Sequence, residues 1–140
     1  MRGLKFCRSE RSDFLVDMAK NNSLDTDKQI LVVEASAGSG KTYCLARRYL
    51  KLLLNASARQ EEDALRSILA ITFMNKAAVE MKERILELLK RLALDTFQDE
   101  SSKKELLDYI GLSELACRDA CFRAMQEIIR RYDYFQVQTI

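Results

Sequence analysis

The chain has no histidine, no proline, no tryptophan and only four glycines in 140 residues. Without histidine, the commonest general base is missing, and so is any Ser-His or Cys-His nucleophile pair. A four-ligand zinc site also lacks its usual donors. Cys7 and Cys44 are isolated, and only Cys117 and Cys121 stand near each other, four positions apart in a helical pattern. Core packing of reduced thiols accounts for them better. No apolar run approaches a membrane span, and Phe14-Leu15-Val16 is too short for a signal peptide. The expectation is a cytoplasmic protein with no membrane partner. Net charge is only +2, with 23 basic and 21 acidic side chains interspersed. No global field therefore argues for nucleic acid, and any such interaction must come from local residues. Chemistry here must run through phosphate, magnesium and carboxylates.

Two of the glycines fall in one informative place. Residues 35–42 read Ala-Ser-Ala-Gly-Ser-Gly-Lys-Thr, between the β-branched run Ile30-Leu31-Val32-Val33-Glu34 and a segment with apolar residues at helical spacing. Strand, glycine-rich turn and helix start together make a concave anion site of backbone N–H groups. Ala35, Ser36, Ala37, Gly38, Ser39, Gly40, Lys41 and Thr42 form the candidate nucleotide-binding loop. Gly38 and Gly40 let phosphate oxygens approach the backbone. Lys41 would place a point charge on the β and γ phosphates of ATP, and the Thr42 hydroxyl would ligate Mg²⁺; these two are the candidate catalytic residues. Ala35 stands where the common form has glycine, which removes no phosphate contact. The bland alternative is a Gly-Ser turn before an ordinary basic helix.

At 48% hydrophobic the chain is one domain at most, with material for a real core. Residues 1–27 are polar and read as an arm with a weak apolar grouping; residues 28–140 read as the domain. The helix after the loop is expected to end near Leu54 at Asn55-Ala56-Ser57, with Arg47, Arg48 and Lys51 on a solvated face. A polar link covers 58–66. A second strand, 68–73, is apolar nearly throughout, as a strand covered on both faces should be. Asn75 would cap a long helix with a stripe at Ala78, Met81, Ile85, Leu88, Leu89 and Leu92. Ser102 with Glu105 matches a capping box, Gly111 a helix stop, and Ser113 a new start. The last helix carries a stripe at Cys117, Cys121, Ala124, Met125, Ile128 and Tyr132. Residues 135–140 alternate and read as a third strand. The order implies an α/β fold: a parallel sheet with helical crossovers, incomplete, with helices inserted between the second and third strands. The chain stops on an apolar residue at the apparent end of a strand, which reads as the opening of a longer domain.

A second motif follows the second strand: Thr72-Phe73-Met74-Asn75-Lys76-Ala77-Ala78-Val79-Glu80-Met81. On the residues alone, Phe73 closes the core and Asn75 is a cap, or the two face a ligand. Taken with residues 34–42, the segment resembles the UvrD/Rep-type helicases of superfamily one, nearest their RecB/AddA branch. The ending Val137-Gln138-Thr139-Ile140 is similar to the opening of that family's third motif. The resemblance covers roughly residues 30–140. It implies a P-loop NTPase, RecA-like fold, ATP with Mg²⁺, and single-stranded DNA lying along Thr72, Phe73, Asn75, Lys76 and Thr139. It also implies a parent enzyme coupling ATP hydrolysis to 3′-to-5′ movement on DNA in recombination and double-strand-break repair. A nuclease domain and a RecC/AddB-like partner can accompany that parent. The family's magnesium-binding acid, water-positioning glutamate and arginine finger belong to later motifs and a second domain, so Glu34 is not assigned catalysis. Its upstream glutamine motif is not evident either; Gln29 lies too close to the first strand. Outside the resemblance, a small P-loop kinase or other NTPase, or a non-enzymatic interaction module, remains open.

Overall fold

The computed structural model describes residues 40–140. The N-terminal arm, the strand expected at 30–34 and loop residues Ala35, Ser36, Ala37, Gly38 and Ser39 lie outside the described residues. Helix α1, Lys41–Ala58, carries Ala46, Leu50, Leu53 and Leu54 on one stripe, none of them solvent-exposed. That spacing of three and four residues keeps one face of a 3.6-residue helix apolar. Helix α2, Asn75–Leu94, buries the whole expected stripe, Ala78, Met81, Ile85, Leu88, Leu89 and Leu92. Helix α4, Glu114–Arg130, contributes Cys117, Ala120, Cys121, Ala124 and Ile128. These three pack pairwise, and α3, Glu100–Ile110, rests against α1.

The sheet is short and parallel. Strand β1, Ala70–Thr72, pairs with β2, Val137–Thr139, in the register Ala70↔Val137, Ile71↔Gln138 and Thr72↔Thr139. Parallel neighbours require a crossover, and α2, α3 and α4 supply it. One face of β1 lies on the core through Ile68 and Ala70. The opposite face is open: Leu69 is 54% and Ile71 56% exposed. The expectation of cover on both faces is therefore corrected, since alternation along a strand sends neighbouring side chains to opposite sides. Phe135 and Val137 bring β2 into the core, with the Phe135 ring 5.7 Å edge-on to Tyr49 of α1.

Several local expectations are corrected by hydrogen bonding. Helix α1 does not stop at Leu54. The Asn55 amide instead donates to the carbonyls of Lys51, at 2.8 Å, and Ile110, at 3.1 Å, and the helix ends where Gln60 takes a left-handed φ of 56°. The link at 58–66 is not wholly polar, because Ala64 and Leu65 are buried. Asn75 is the first residue of α2 rather than its side-chain cap. Ser102 lies inside α3, whose cap is Asp99; its carboxylate accepts from the backbone N–H groups of Ser101 and Ser102 and from both hydroxyls. A carboxylate with four nearby donors outcompetes a serine hydroxyl for that place. Gly111 closes α3 with φ 81°, and Ser113 caps α4, as expected. Met125 is half-buried, whereas Tyr132 falls beyond α4 in a 3₁₀ turn, Tyr132–Tyr134, and is 53% exposed.

Two predictions follow from the packing and the cap. Ile85→Ala removes a fully buried side chain from the middle of α2 and should lower unfolding free energy by about 2–5 kcal/mol, measured by denaturant titration. The hydroxyls of Ser102 and Ser101 hold the Asp99 carboxyl down to about 2. A folded pKa below the unfolded one means the contribution is complete above the ordinary aspartate value of about 3.9. It is lost as pH falls through about 2. Asp99→Ala should therefore lower the melting temperature at pH 7 and make the difference from the parent chain shrink between pH 4 and 2.

Candidate functional site

Among the four helices of the described residues, two begin in a way the other two do not. Gly40, which precedes α1, has φ 79° and ψ 26°, a left-handed conformation that only glycine adopts without strain. No side chain caps α1, and its first turn contains no acid. Met74, extended at φ −126° and ψ 139°, precedes α2, which likewise has no side-chain cap and no acid in its first turn. By contrast α3 starts with Asp99 and Glu100, and α4 with Ser113 and Glu114. A helix start leaves backbone N–H groups without intrahelical partners and concentrates positive potential. At α3 and α4 the chain's own side chains answer that potential. At α1 and α2 no side chain among the described residues does so, and these are the helices that begin within the two sequence motifs.

Lys41 and Thr42 open α1, the lysine exposed and the threonine half-buried. The threonine hydroxyl is a hard oxygen donor of the kind magnesium takes, so Thr42 is chemically suited to that ion. At the other motif, Thr72 and Thr139 are register partners at the carboxyl ends of β1 and β2. The Thr139 hydroxyl donates to Asn75 Oδ1 at 2.7 Å, tying β2 to the start of α2, and the Thr72 hydroxyl donates to the Met74 carbonyl at 3.1 Å. Between them Phe73 projects 88% exposed. The alternative in which it closes the core is thus not the one observed. The Lys76 side chain is 85% exposed, with Glu80 at 4.0 Å as a loose neighbour. Thr72, Phe73, Asn75, Lys76 and Thr139 therefore gather on one edge of the sheet.

The sequence reading missed a polar contact behind α1. Arg47 was expected on a solvated face with Arg48 and Lys51, yet it is only 4% exposed and donates to Glu105 of α3 at 3.0 Å. The tyrosines explain the difference: the guanidinium lies 4.8 Å from the Tyr109 ring centre and 5.7 Å from that of Tyr43. Flat aromatic faces shelter a planar cation that water would otherwise claim. The signal available in sequence was Arg47, Lys51 and Asn55 at four-residue spacing, against Glu105 and Tyr109 at the same spacing. Lys103 is sheltered too, between Asp95 at 2.7 Å and Glu114 at 2.5 Å, whose hydrogen bonds raise its pKa. Cys117 and Cys121 are buried free thiols; their hydrogen bond lowers the first and raises the second, which burial raises further. Cys44 is half-buried and free. No helix among the described residues is long and apolar enough to cross a membrane.

Comparison with known proteins supplies the family. Residues 16–106 match the model of the UvrD/REP helicase N-terminal domain. A Bacillus cytotoxicus protein, named as one chain of an ATP-dependent helicase/nuclease, is 34% identical over 104 residues, which are 74% of this chain and 8% of that protein. Proteins of the same name from Bacillus cereus and Bacillus thuringiensis are 40% identical over 104 residues, with the same coverage. The chain thus spans 8% of the length of these relatives. No solved structure matches. With the family model covering well over half of its residues, the chain belongs to the UvrD/REP helicase N-terminal domain family.

Proposed function

We propose that this chain is the opening part of the first RecA-like domain of a RecB/AddA-type, ATP-dependent DNA helicase. The observation that carries the reading is the pair of helix starts, at α1 and α2, that no side chain among the described residues caps, each beginning within a family motif. At α1 the backbone N–H groups and Lys41 hold the phosphates of ATP, with residues 35–40 supplying the rest of the loop. Thr42 holds Mg²⁺, which when bound neutralises phosphate charge. At α2 the N–H groups with Asn75 and Lys76 take a DNA phosphate, while exposed Phe73 stacks on a base. Thr72 and Thr139 complete that strand-binding edge.

The parent moves 3′ to 5′ along single-stranded DNA in recombination and double-strand-break repair, in the cytoplasm. Its partners are a RecC/AddB-like protein and the remainder of its own chain. What supports this is the family membership and the name that the relatives carry. The bound loop lowers the energy of ground and transition states alike, which does not by itself accelerate hydrolysis. A positioned water, a magnesium-binding acid and an arginine must come from elsewhere in the parent.

Three outcomes are expected. In the parent enzyme, Lys41→Ala should weaken nucleotide binding and reduce turnover about a hundredfold or more. Its fold should survive, because Lys41 is exposed; undiminished ATP hydrolysis would sink the loop assignment. A stacked base is worth about 1–3 kcal/mol, so Phe73→Ala should weaken single-stranded DNA binding about 5- to 150-fold. DNA-stimulated ATPase should fall while nucleotide affinity without DNA stays near normal. Turnover that ignores DNA altogether would point to a different P-loop enzyme. Finally, residues 1–140 alone should show no Lys41-dependent phosphate release. Turnover of about 1 per second or faster would mean that a complete site lies within these residues.

A further inference from the structure

Along α1, three polar side chains four residues apart meet α3. Arg47 donates to Glu105, the Lys51 ammonium lies 4.8 Å from the Tyr109 ring centre, and Asn55 donates to the Ile110 carbonyl. Arg47 lies deepest of these, and its Nε has no hydrogen-bond partner. A buried cation facing one carboxylate is a poor source of stability, because apolar side chains of similar volume often do as well or better. What such a pair does supply is register: the charge is satisfied only when Glu105 stands opposite.

The same guanidinium reaches toward the start of α1, as helical side chains lean to the N-terminus. It lies over Tyr43, the residue directly after Thr42, and Arg84 of α2 lies 5.9 Å from that same ring. One side chain thus contacts both the turn that carries Lys41 and Thr42 and the face of α3.

We propose that Arg47 is a positioning residue for the phosphate-binding start of α1. Through Tyr43, Glu105 and Tyr109 it couples binding of a magnesium nucleoside di- or triphosphate to the docking of α3. This rests on the reading of α1 as the nucleotide helix. A nucleotide that orders the first turn of α1 fixes Tyr43, which fixes the guanidinium, which holds Glu105. Linkage makes the effect reciprocal: α3, when docked, raises nucleotide affinity by the factor by which nucleotide favours docking.

The test is amide hydrogen exchange of this chain with and without magnesium-ADP, alongside a binding titration. In the parent sequence, nucleotide should slow exchange across α3 by about fivefold or more, the lower end of ordinary coupling. Arg47→Met should still bind nucleotide but lose that protection. Glu105→Gln should do the same from the far side of the contact. Its carboxylate is 55% exposed, and the amide keeps an oxygen that can accept from the guanidinium, so this variant removes the charge while leaving buried Arg47 a partner. The double variant should lose no more nucleotide affinity than either single change, as expected for one shared interaction. A merely structural arginine would lower melting temperature and leave nucleotide-dependent protection of α3 intact. Nucleotide binding without slower exchange in α3 of the parent sequence would overturn the coupling alone. Failure of the parent sequence to bind nucleotide, with Lys41→Ala indistinguishable from it, would overturn the loop reading and the coupling together.

Discussion

Burial of one face of α1 is the constraint on which the rest depends. Leu50, Leu53 and Leu54 are fully buried on the helix that packs against both α2 and α4, and Tyr49 of the same helix meets the aromatic ring that leads into β2. A full side-chain burial is worth about 1.5–3 kcal/mol, so several on one helix make it hard to displace. A site at a helix start is only as well formed as the helix that presents it, and α1 is anchored in the core. Functional groups at its first turn can therefore remain exposed without being loosely held.

The polar interactions divide the labour differently. Asp99 and Ser113 satisfy helix starts and set where α3 and α4 begin. Lys103 lies between Asp95, just past the end of α2, and Glu114, at the start of α4. It gathers three helices at one charged junction and keeps its proton because both neighbours are carboxylates. Arg47 does the corresponding work at the seam between α1 and α3. The ion pairs of Lys103 and Arg47 say little about how stable the fold is and much about which arrangement of helices it adopts.

Much of this was legible in the sequence. The stripe of α2 was read correctly, because a 20-residue amphipathic helix repeats its signal. Gly111 and Ser113 marked boundaries through local chemistry alone, and the alternation of 135–140 foretold the strand that pairs with β1. The misreadings share one cause: the deciding partner lies far away along the chain. Asn55 resembled a helix stop until Ile110 supplied a carbonyl, and Arg47 resembled a solvated cation until Tyr109 and Glu105 enclosed it. Asn75 resembled a cap, but Thr139, 64 residues on, takes its side chain. Strand 68–73 was read as covered on both faces because apolarity reports tolerance of burial, not the presence of a neighbour. The family resemblance was legible in the motifs around Gly40 and Phe73 because their pattern is local, and the family match bears that resemblance out.

Gly40 and Gly111 bend the backbone nearly alike, at φ 79° and 81°, and a Cβ on either would meet nothing within 4 Å. Their requirement is thus one of handedness, not of room. Mirror-image alanine, introduced by chemical synthesis, satisfies positive φ while restricting the unfolded chain. At Gly111 it would be accepted as a slightly better glycine. At Gly40 it would meet the same demand for positive φ while adding a methyl group beside the start of α1. Stereochemistry can therefore separate what the backbone needs from what a ligand needs, a distinction that no ordinary substitution at either glycine can make.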